Sequence, residues 1–175
     1  MSREIWVTSD GHLNHENILK FTDSKTGNKI RPEFDNVQQM NECLLDSWNS
    51  VVKKGDIVYH LGDVFFGSKE EFQKMWPKFN GSKRLIVGNH DDIIYLSSGG
   101  FFKKVQMWRM FPEFGLLFSH VPIHESGLYR HSNGETLLNV HGHIHQNDSP
   151  EGPYKNVSVE KTNYTPVNIE DLRVK

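Results

Sequence analysis

Short apolar runs alternate with amphipathic stretches in the first half of the chain. The runs are rich in β-branched and aromatic residues, which predicts strands at residues 3–8, 56–61 and 83–87. From Val37 to Val51, apolar side chains recur at three- and four-residue steps, which predicts a helix capped by Asp35 or Asn36. A capping box that starts at Ser68 opens a second helix. This alternation of strand and helix is typical of an α/β fold.

The second half of the chain is richer in strands. They are predicted at residues 101–110, 114–118, 136–140 and 156–160, with a turn or short edge element after them. A short helix is predicted at residues 14–21, and residues 22–33 and 121–135 have the polar composition of loops. The whole pattern predicts an α/β (α+β) fold with two sheets, and we expect residues 1–175 to form a single domain.

Composition narrows the class of protein. The net charge of −2 provides no global basic surface for nucleic acid, and Cys43 is the only cysteine, which fits a reducing compartment. No apolar run approaches the roughly 18 residues of a membrane span, and the N-terminal residues lack the apolar segment of a signal peptide. We therefore expect a cytoplasmic protein with no membrane partner. The chain has 10 histidines, several of them next to Asp or Gly, which points toward metal binding.

Clusters of Asp, Asn and His follow five of the predicted strands. They are Ser9-Asp10-Gly11-His12, Gly62-Asp63, Gly88-Asn89-His90-Asp91, Ser119-His120 and Gly142-His143-Ile144-His145. In extended backbone, side chains two residues apart project to the same side, so each of the pairs Asp10/His12 and His143/His145 should converge on one point. Oxygen and imidazole ligands without thiolate favour Mn, Fe, Ni, Co or Zn. Each pair alone would equally fit hydrogen-bonded structural histidines, but the series of five favours a dinuclear metal site.

The charge of such a site favours an anionic substrate. Two divalent ions bring four positive charges, of which Asp10 and Asp63 neutralise two. Two ions about 3.5–4 Å apart can generate a nucleophile and hold both oxygens of an in-line displacement. A phosphate ester is therefore the natural substrate, although dinuclear aminopeptidases use similar ligand types.

The ordered set resembles the calcineurin-like metallophosphoesterase superfamily, whose blocks are D-x-H, G-D, G-N-H-[DE], a later H, and G-H-x-H. All five occur here in order over residues 10–145, and residues 10–18 and 59–63 are similar to small, uncapped bacterial and phage members. The resemblance implies a four-layer αββα sandwich of two mixed β-sheets flanked by helices.

The resemblance also implies a role for each motif residue. One metal would be held by Asp10, His12 and His145, the other by Asn89, His120 and His143, and Asp63 would bridge both. A hydroxide bridging the metals would attack phosphorus, and His90 would protonate the leaving oxygen as general acid. The expected cofactors are two divalent transition-metal ions, Mn²⁺ first, with Fe, Ni, Co or Zn as alternatives.

Other residues keep two interpretations. Asp91 could orient His90 or cap the following segment, and His15 could touch the substrate or only hydrogen-bond locally. Arg130 could contact a leaving group or simply belong to a solvated loop, and Arg31 is a candidate for a contact with the phosphate. Protein phosphatases of this superfamily carry G-D-x-x-D-R-G, whereas this chain reads Gly62-Asp63-Val64-Phe65-Phe66-Gly67. The missing Asp and Arg argue against phosphoprotein substrates.

We therefore expect a metal-dependent phosphoesterase with an open site, acting on phosphodiesters or on nucleotide-type small molecules. One alternative is a metal-dependent nuclease acting on DNA or RNA, against which the absence of a basic stripe argues mildly. The other is a non-catalytic, protein-binding scaffold of the same fold, against which the filled motif positions argue. The oligomeric state is left open.

Overall fold

The computed structural model describes residues 3–128 and 134–174, which build two β-sheets and the helices beside them. The strands are β1 Ile5–Thr8, β2 Ile57–His60, β3 Ser82–Ile86, β4 Lys104–Gln106, β5 Trp108–Phe111, β6 Leu116–Ser119, β7 Leu138–His141, β8 Tyr154–Asn156 and β9 Val167–Asn168. The α-helices are α1 Val37–Val51, α2 Lys69–Met75 and α3 Ile93–Ser98. Short 3₁₀ turns occupy Glu16–Leu19, Trp76–Lys78, Glu125–Gly127, Val159–Lys161 and Ile169–Leu172.

Both sheets are mixed. The first has the strand order β4-β3-β2-β1-β9, with β9 antiparallel to β1 and the other pairs parallel. The second has the order β5-β6-β7-β8, with β5 antiparallel to β6 and the other pairs parallel. Parallel strands bring their carboxyl ends to one edge of a sheet, and loops at that edge are where open α/β sheets place ligands. The topology therefore gathers the loops after β1, β2 and β3 at one edge, and those after β6 and β7 at another.

Alternate side chains along the strands of the first sheet point to opposite faces and so contribute to two different hydrophobic cores. In β1, Val7 points into the core between the sheets, where it joins Tyr59 of β2 and Phe118 of β6, while Trp6 points to the other side. The outer face of the first sheet packs against a cluster that is rich in aromatic rings, such as that of Trp48 in α1. All three α-helices contribute side chains to this cluster. The predicted α/β fold with two mixed sheets and helices is confirmed.

The outer face of the second sheet carries a smaller cluster. Leu117 of β6 packs there with Leu128 and Leu137, and Ile123 lies against them. In the described ranges this layer consists of a 3₁₀ turn and loops, since α1, α2 and α3 all lie against the first sheet. Within the same ranges, no helix is both long and apolar enough to cross a membrane.

Three helical segments differ from, or sharpen, the sequence-based expectation. The helix predicted at residues 14–21 is only the 3₁₀ turn Glu16–Leu19, because Asn14 has a positive φ of 63° and pairs with the amide of Asn41 instead of capping a helix. The cap of α1 is Asn36, whose side chain accepts from the backbone N–H of Gln39. Helix α3 was not predicted.

Two strand predictions are also corrected. The single strand predicted at residues 101–110 is two short strands, because the chain leaves the first sheet after β4 and enters the second at β5. The strand predicted at residues 156–160 ends at Asn156, and the chain then turns into the 3₁₀ segment Val159–Lys161. This turn places Glu160 beneath the loops at the carboxyl edge, as described below.

Candidate metal centre

The five motif clusters lie in loops that follow the carboxyl ends of β1, β2, β3, β6 and β7. Backbone hydrogen bonds join these loops in pairs: Asp10 donates to the carbonyl of Gly62 (3.0 Å), and Gly142 donates to the carbonyl of His120 (2.9 Å). The backbone N–H of His143 donates to Oδ2 of Asp10 at 2.9 Å, which connects the two sheets. Residues far apart in the sequence thus meet at one end of the sandwich.

Asp10, His12 and His145 form one set whose ligand atoms lie within 4.8 Å of one another. Oδ1 of Asp10 and both ring nitrogens of His12 are buried and have no hydrogen-bond partner. Nε2 of His12 lies 3.9 Å from Oδ1 of Asp10 and 3.6 Å from Oδ2 of Asp63. Buried polar atoms are normally hydrogen-bonded. A divalent cation would satisfy Oδ1 of Asp10 and Nε2 of His12, so the residues fit a metal.

Asp10, Asp63 and His120 form a second set within 4.8 Å. Nδ1 of His120 lies 2.7 Å from the carbonyl oxygen of Leu61 and so donates its proton there, which leaves a lone pair on Nε2. Nε2 faces Oδ1 of Asn89 at 2.8 Å and Oδ2 of Asp63 at 3.6 Å. Three acceptor atoms that face one another fit ligands arranged around a cation.

His143 lies beside the second set. Its ring centroid is 5.0 Å from that of His120, but its side chain is exposed and belongs to neither of the two sets. Partial desolvation by neighbouring groups, with a contribution from His120, lowers the pKa of His143. His143 as a metal ligand stays a prediction.

The protonation state of His12 suits metal binding. Its side chain is 3% exposed, and burial together with the positive charge of Arg31 holds its pKa well below the usual value. Metal ligands must present a free lone pair, so a neutral imidazole is the competent form.

Left-handed backbone is concentrated at the predicted ligands. Five of the seven have a positive φ: Asp10 (58°), His12 (49°), Asp63 (55°), His143 (70°) and His145 (50°). The pairs Asp10/His12 and His143/His145 were predicted to converge through extended backbone. That prediction is wrong, because all four of these residues have left-handed backbone on tight turns. Asp, Asn and His tolerate this conformation better than most residues. Strained backbone of this kind clusters at functional sites.

A buried ion pair that the sequence did not indicate lies beneath the first set. Arg31 is fully buried, and its Nε and Nη2 lie 2.9 and 2.8 Å from Oε1 of Glu160. The guanidinium also donates to the carbonyl oxygens of Asp10 (2.6 Å) and Gly11 (3.1 Å). The interpretation of Arg31 as a phosphate contact is therefore wrong, since all of these donors point into the protein.

Glu160 connects this ion pair to His145. Its Oε1 lies 3.0 Å from Nδ1 of His145, so His145 donates there and turns Nε2 toward the cluster. Burial lowers the pKa of His145, but the hydrogen bond and charge of Glu160 outweigh burial, and the pKa is raised. For Glu160 itself, burial is outweighed by Arg31 and His145, which lower its pKa to about 2.

His90 stands at the open side of the centre. Its side chain is exposed, its backbone N–H donates to Oδ1 of Asp63 (2.9 Å), and its ring lies 6.1 Å from that of His12. The neighbouring Asp91 carboxylate accepts from three backbone N–H groups, those of Asp63, Val64 and Gly88, at 2.8–3.1 Å. These contacts favour the interpretation of Asp91 as a residue that ties two loops together. Burial raises its pKa.

His15 lies next to the centre without entering it. Its ring stacks on Phe66 with centroids 4.0 Å apart and lies 5.5 Å from the ring of His12. Burial, then the charge of Arg31, lower the pKa of His15. Arg130, the other candidate for a substrate contact, lies outside the described residues.

Two glycines allow the loops to approach closely enough. A Cβ on Gly88 would overlap the backbone and carboxylate of Asp63, and a Cβ on Gly142 would overlap Oγ of Ser9 and Oδ2 of Asp10. Glycine is the residue that permits such contact. Gly88 and Gly142 therefore support the geometry of the ligands directly.

The sequence model of the calcineurin-like phosphoesterase family matches residues 3–173. The chain belongs to this family. The calcineurin-like family assignment and the two Asp/His sets together indicate a metal-dependent phosphoesterase that uses divalent ions.

One relative and one solved structure match almost the whole of this calcineurin-like phosphoesterase, and a phage protein matches about half of it. It is 34% identical over 182 residues to the uncharacterized protein MJ1445 of Methanocaldococcus jannaschii, with 99% of this chain and 90% of that protein covered. It is 38% identical over 89 residues to the Gene 66 protein of Mycobacterium phage L5, with 49% of this chain and 39% of that protein covered. A crystal structure of the protein of unknown function AQ665 from Aquifex aeolicus superposes with a TM-score of 0.71 at 26% identity, covering 98% of both chains.

Proposed function

We propose that this protein hydrolyses phosphodiesters, in particular those of nucleotide-type small molecules, with two divalent metal ions and with His90 as general acid. The observation that supports this proposal is the pair of metal-ligand sets that share Asp10 and include buried atoms of Asp10 and His12 without hydrogen-bond partners. The exposed imidazole of His90 lies beside these sets. Ions bound there would activate water and neutralise the charge of a phosphoryl group. Mn²⁺ is the ion we expect to activate best.

The protein residues of this proposal have separate tasks. Asp10, His12, Asp63, Asn89, His120, His143 and His145 would hold the two ions. His90 would carry the proton that the leaving oxygen needs. Its backbone is fixed by Asp63, which keeps the imidazole next to the centre. The exposure of His90 allows the leaving group to reach it.

The proposal is tested with protein stripped of metal and reloaded with Mn²⁺. We expect hydrolysis of bis-p-nitrophenyl phosphate in preference to p-nitrophenyl phosphate, and none after stripping. With a diester that has an alkoxide leaving group, His90→Ala should lower kcat by about 10²–10⁴-fold, the usual contribution of a positioned acid. His124→Ala is the control, because His124 is also an exposed histidine, its Nδ1 bonds to Ser126, and it is not among the predicted site residues. Equal loss in both variants, or no loss in His90→Ala, would refute the role of His90.

A further inference from the structure

Three aromatic side chains lie next to the candidate metal centre. Phe66 and His15 both lie beside His12, with ring centroids 5.3 and 5.5 Å from that of His12, and they stack on each other at 4.0 Å. Phe21 extends the group outward through a T-shaped contact with His15 at 5.7 Å. The exposed fraction of the residue is 3% for His12 and 48% for Phe21, while Phe66 and His15 are half-buried. We name Phe66, His15 and Phe21 the aromatic row.

The aromatic row stands on fixed backbone. Leu13 donates to the carbonyl of Val64 (3.0 Å), and Phe66 donates to the carbonyl of Leu13 (2.8 Å), so the loops after β1 and β2 run side by side. His15 donates its backbone N–H to the carbonyl of His12 at 3.1 Å. These bonds fix the backbone of Phe66 and His15 beside the metal centre.

The aromatic row lies outside the hydrophobic cores. Phe66 and Phe21 belong to none of the core clusters between the sheets, against the helices or outside the second sheet. Phe66 also contacts His90, with ring centroids 5.1 Å apart, so the row borders the proposed proton donor as well as the ligand His12. Partly exposed rings beside a site for phosphate form a surface for a flat group attached to that phosphate.

We propose that the aromatic row binds a nucleobase of the substrate, next to the phosphate whose ester bond is cleaved. This proposal rests on the proposed function. Bases stack on aromatic side chains with little regard for sequence, and such stacking changes affinity by about 5- to 150-fold per base. The row carries no carboxylate and no ammonium group, so it suits an uncharged, planar, polarizable ring rather than a charged leaving group.

The test compares two diesters that share p-nitrophenolate as leaving group: thymidine 5′-p-nitrophenyl phosphate, which carries a base, and methyl p-nitrophenyl phosphate, which does not. With the Mn²⁺-loaded protein we expect kcat/KM to favour the thymidine ester. Phe21→Ala and Phe66→Leu should each reduce that preference by about 5- to 150-fold. Phe21 is exposed, so its variant tests the row even if Phe66→Leu disturbs His12. Phe114→Leu, which removes a ring in the turn between β5 and β6, at the end of that sheet opposite to His120, should keep the full preference.

Equilibrium binding separates this proposal from the proposed function. The Mn²⁺-loaded protein should bind thymidine 5′-monophosphate more tightly than ribose 5-phosphate, and Phe21→Ala should remove the difference. If no ester is hydrolysed but the binding difference is present, the row proposal stands and the proposed reaction fails. If esters are hydrolysed with no preference for the base, the row proposal is overturned. A dinucleotide and a single-stranded oligothymidylate show whether the base comes from a small molecule or from a strand; either supports base stacking.

Discussion

Glu160 offers a direct test of how the metal centre is held. A single carboxylate oxygen, Oε1, accepts from Nε and Nη2 of Arg31 (2.9 and 2.8 Å) and from Nδ1 of His145 (3.0 Å). The side chain is 3% exposed. The substitution Glu160→Gln keeps its shape and removes its charge, so the variant isolates the electrostatic part of this arrangement.

Two effects of Glu160→Gln should be measurable separately. Arg31 is fully buried, and a buried charge that loses its partner costs about 3–5 kcal/mol of folding free energy. Loss of the carboxylate behind His145 should weaken metal binding by about 10- to 100-fold. Since stabilisation by a ligand follows RT ln(1 + [L]/Kd), the extra stability conferred by saturating Mn²⁺ should fall by about 1.4–2.7 kcal/mol.

The assay is urea unfolding followed by tryptophan fluorescence, once with chelator and once with Mn²⁺. The control is Glu33→Gln, because Glu33 is an exposed carboxylate whose partner is the hydroxyl of Tyr164. Glu33→Gln should hardly change the extra free energy of unfolding that Mn²⁺ confers. If Glu160→Gln gained as much stability from Mn²⁺ as the wild type, Glu160 would not be positioning His145 for metal.

The structure supports two further predictions. Gly142→Ala should abolish the rise in melting temperature with Mn²⁺, because the added Cβ would overlap a carboxylate oxygen of Asp10; a normal rise would mean that the loop yields easily. Burial lowers the pKa of His60 to about 3, below its unfolded value, so the unfolded chain binds the extra proton and stability is lost as pH falls below about 6.5. In the metal-free protein, the free energy of unfolding should therefore fall less steeply with acid in His60→Leu than in the wild type. Between about pH 6.5 and 4.5 the difference should be up to about 1.4 kcal/mol per pH unit, measured by urea unfolding. An equal dependence on pH in the two proteins would contradict this.

Features with a local cause could be predicted from the sequence. The alternation along β1 and β2, the helical period of α1 and the caps Asn36 and Ser68 depend on neighbouring residues only. The parallel strands then place the ends of these elements together, so the sequence order of the motif clusters was enough to predict that they would meet.

Features that depend on distant contacts could not be predicted. Arg31 lies in a polar loop and Glu160 in a segment expected to be a strand, and nothing near either residue indicates their pairing. The same holds for the aromatic row, where Phe66 and His15 come from different loops. A signal was available for the left-handed ligands: Asp and His beside glycine tolerate positive φ, so the motifs themselves favoured tight turns over extended backbone.

The metal centre contains both strained backbone at its ligands and contacts that stabilise that backbone. Left-handed residues cost about 1–3 kcal/mol each, and the unpaired atoms of Asp10 and His12 add a cost of their own. The contacts of Arg31 and Asp91 oppose these costs. Arg31 donates to two backbone carbonyls of the loop after β1, and Asp91 accepts from backbone N–H groups of the loops after β2 and β3. Substitutions that remove Arg31 or Asp91 should therefore disturb the ligand loops even though neither side chain is among the predicted metal ligands.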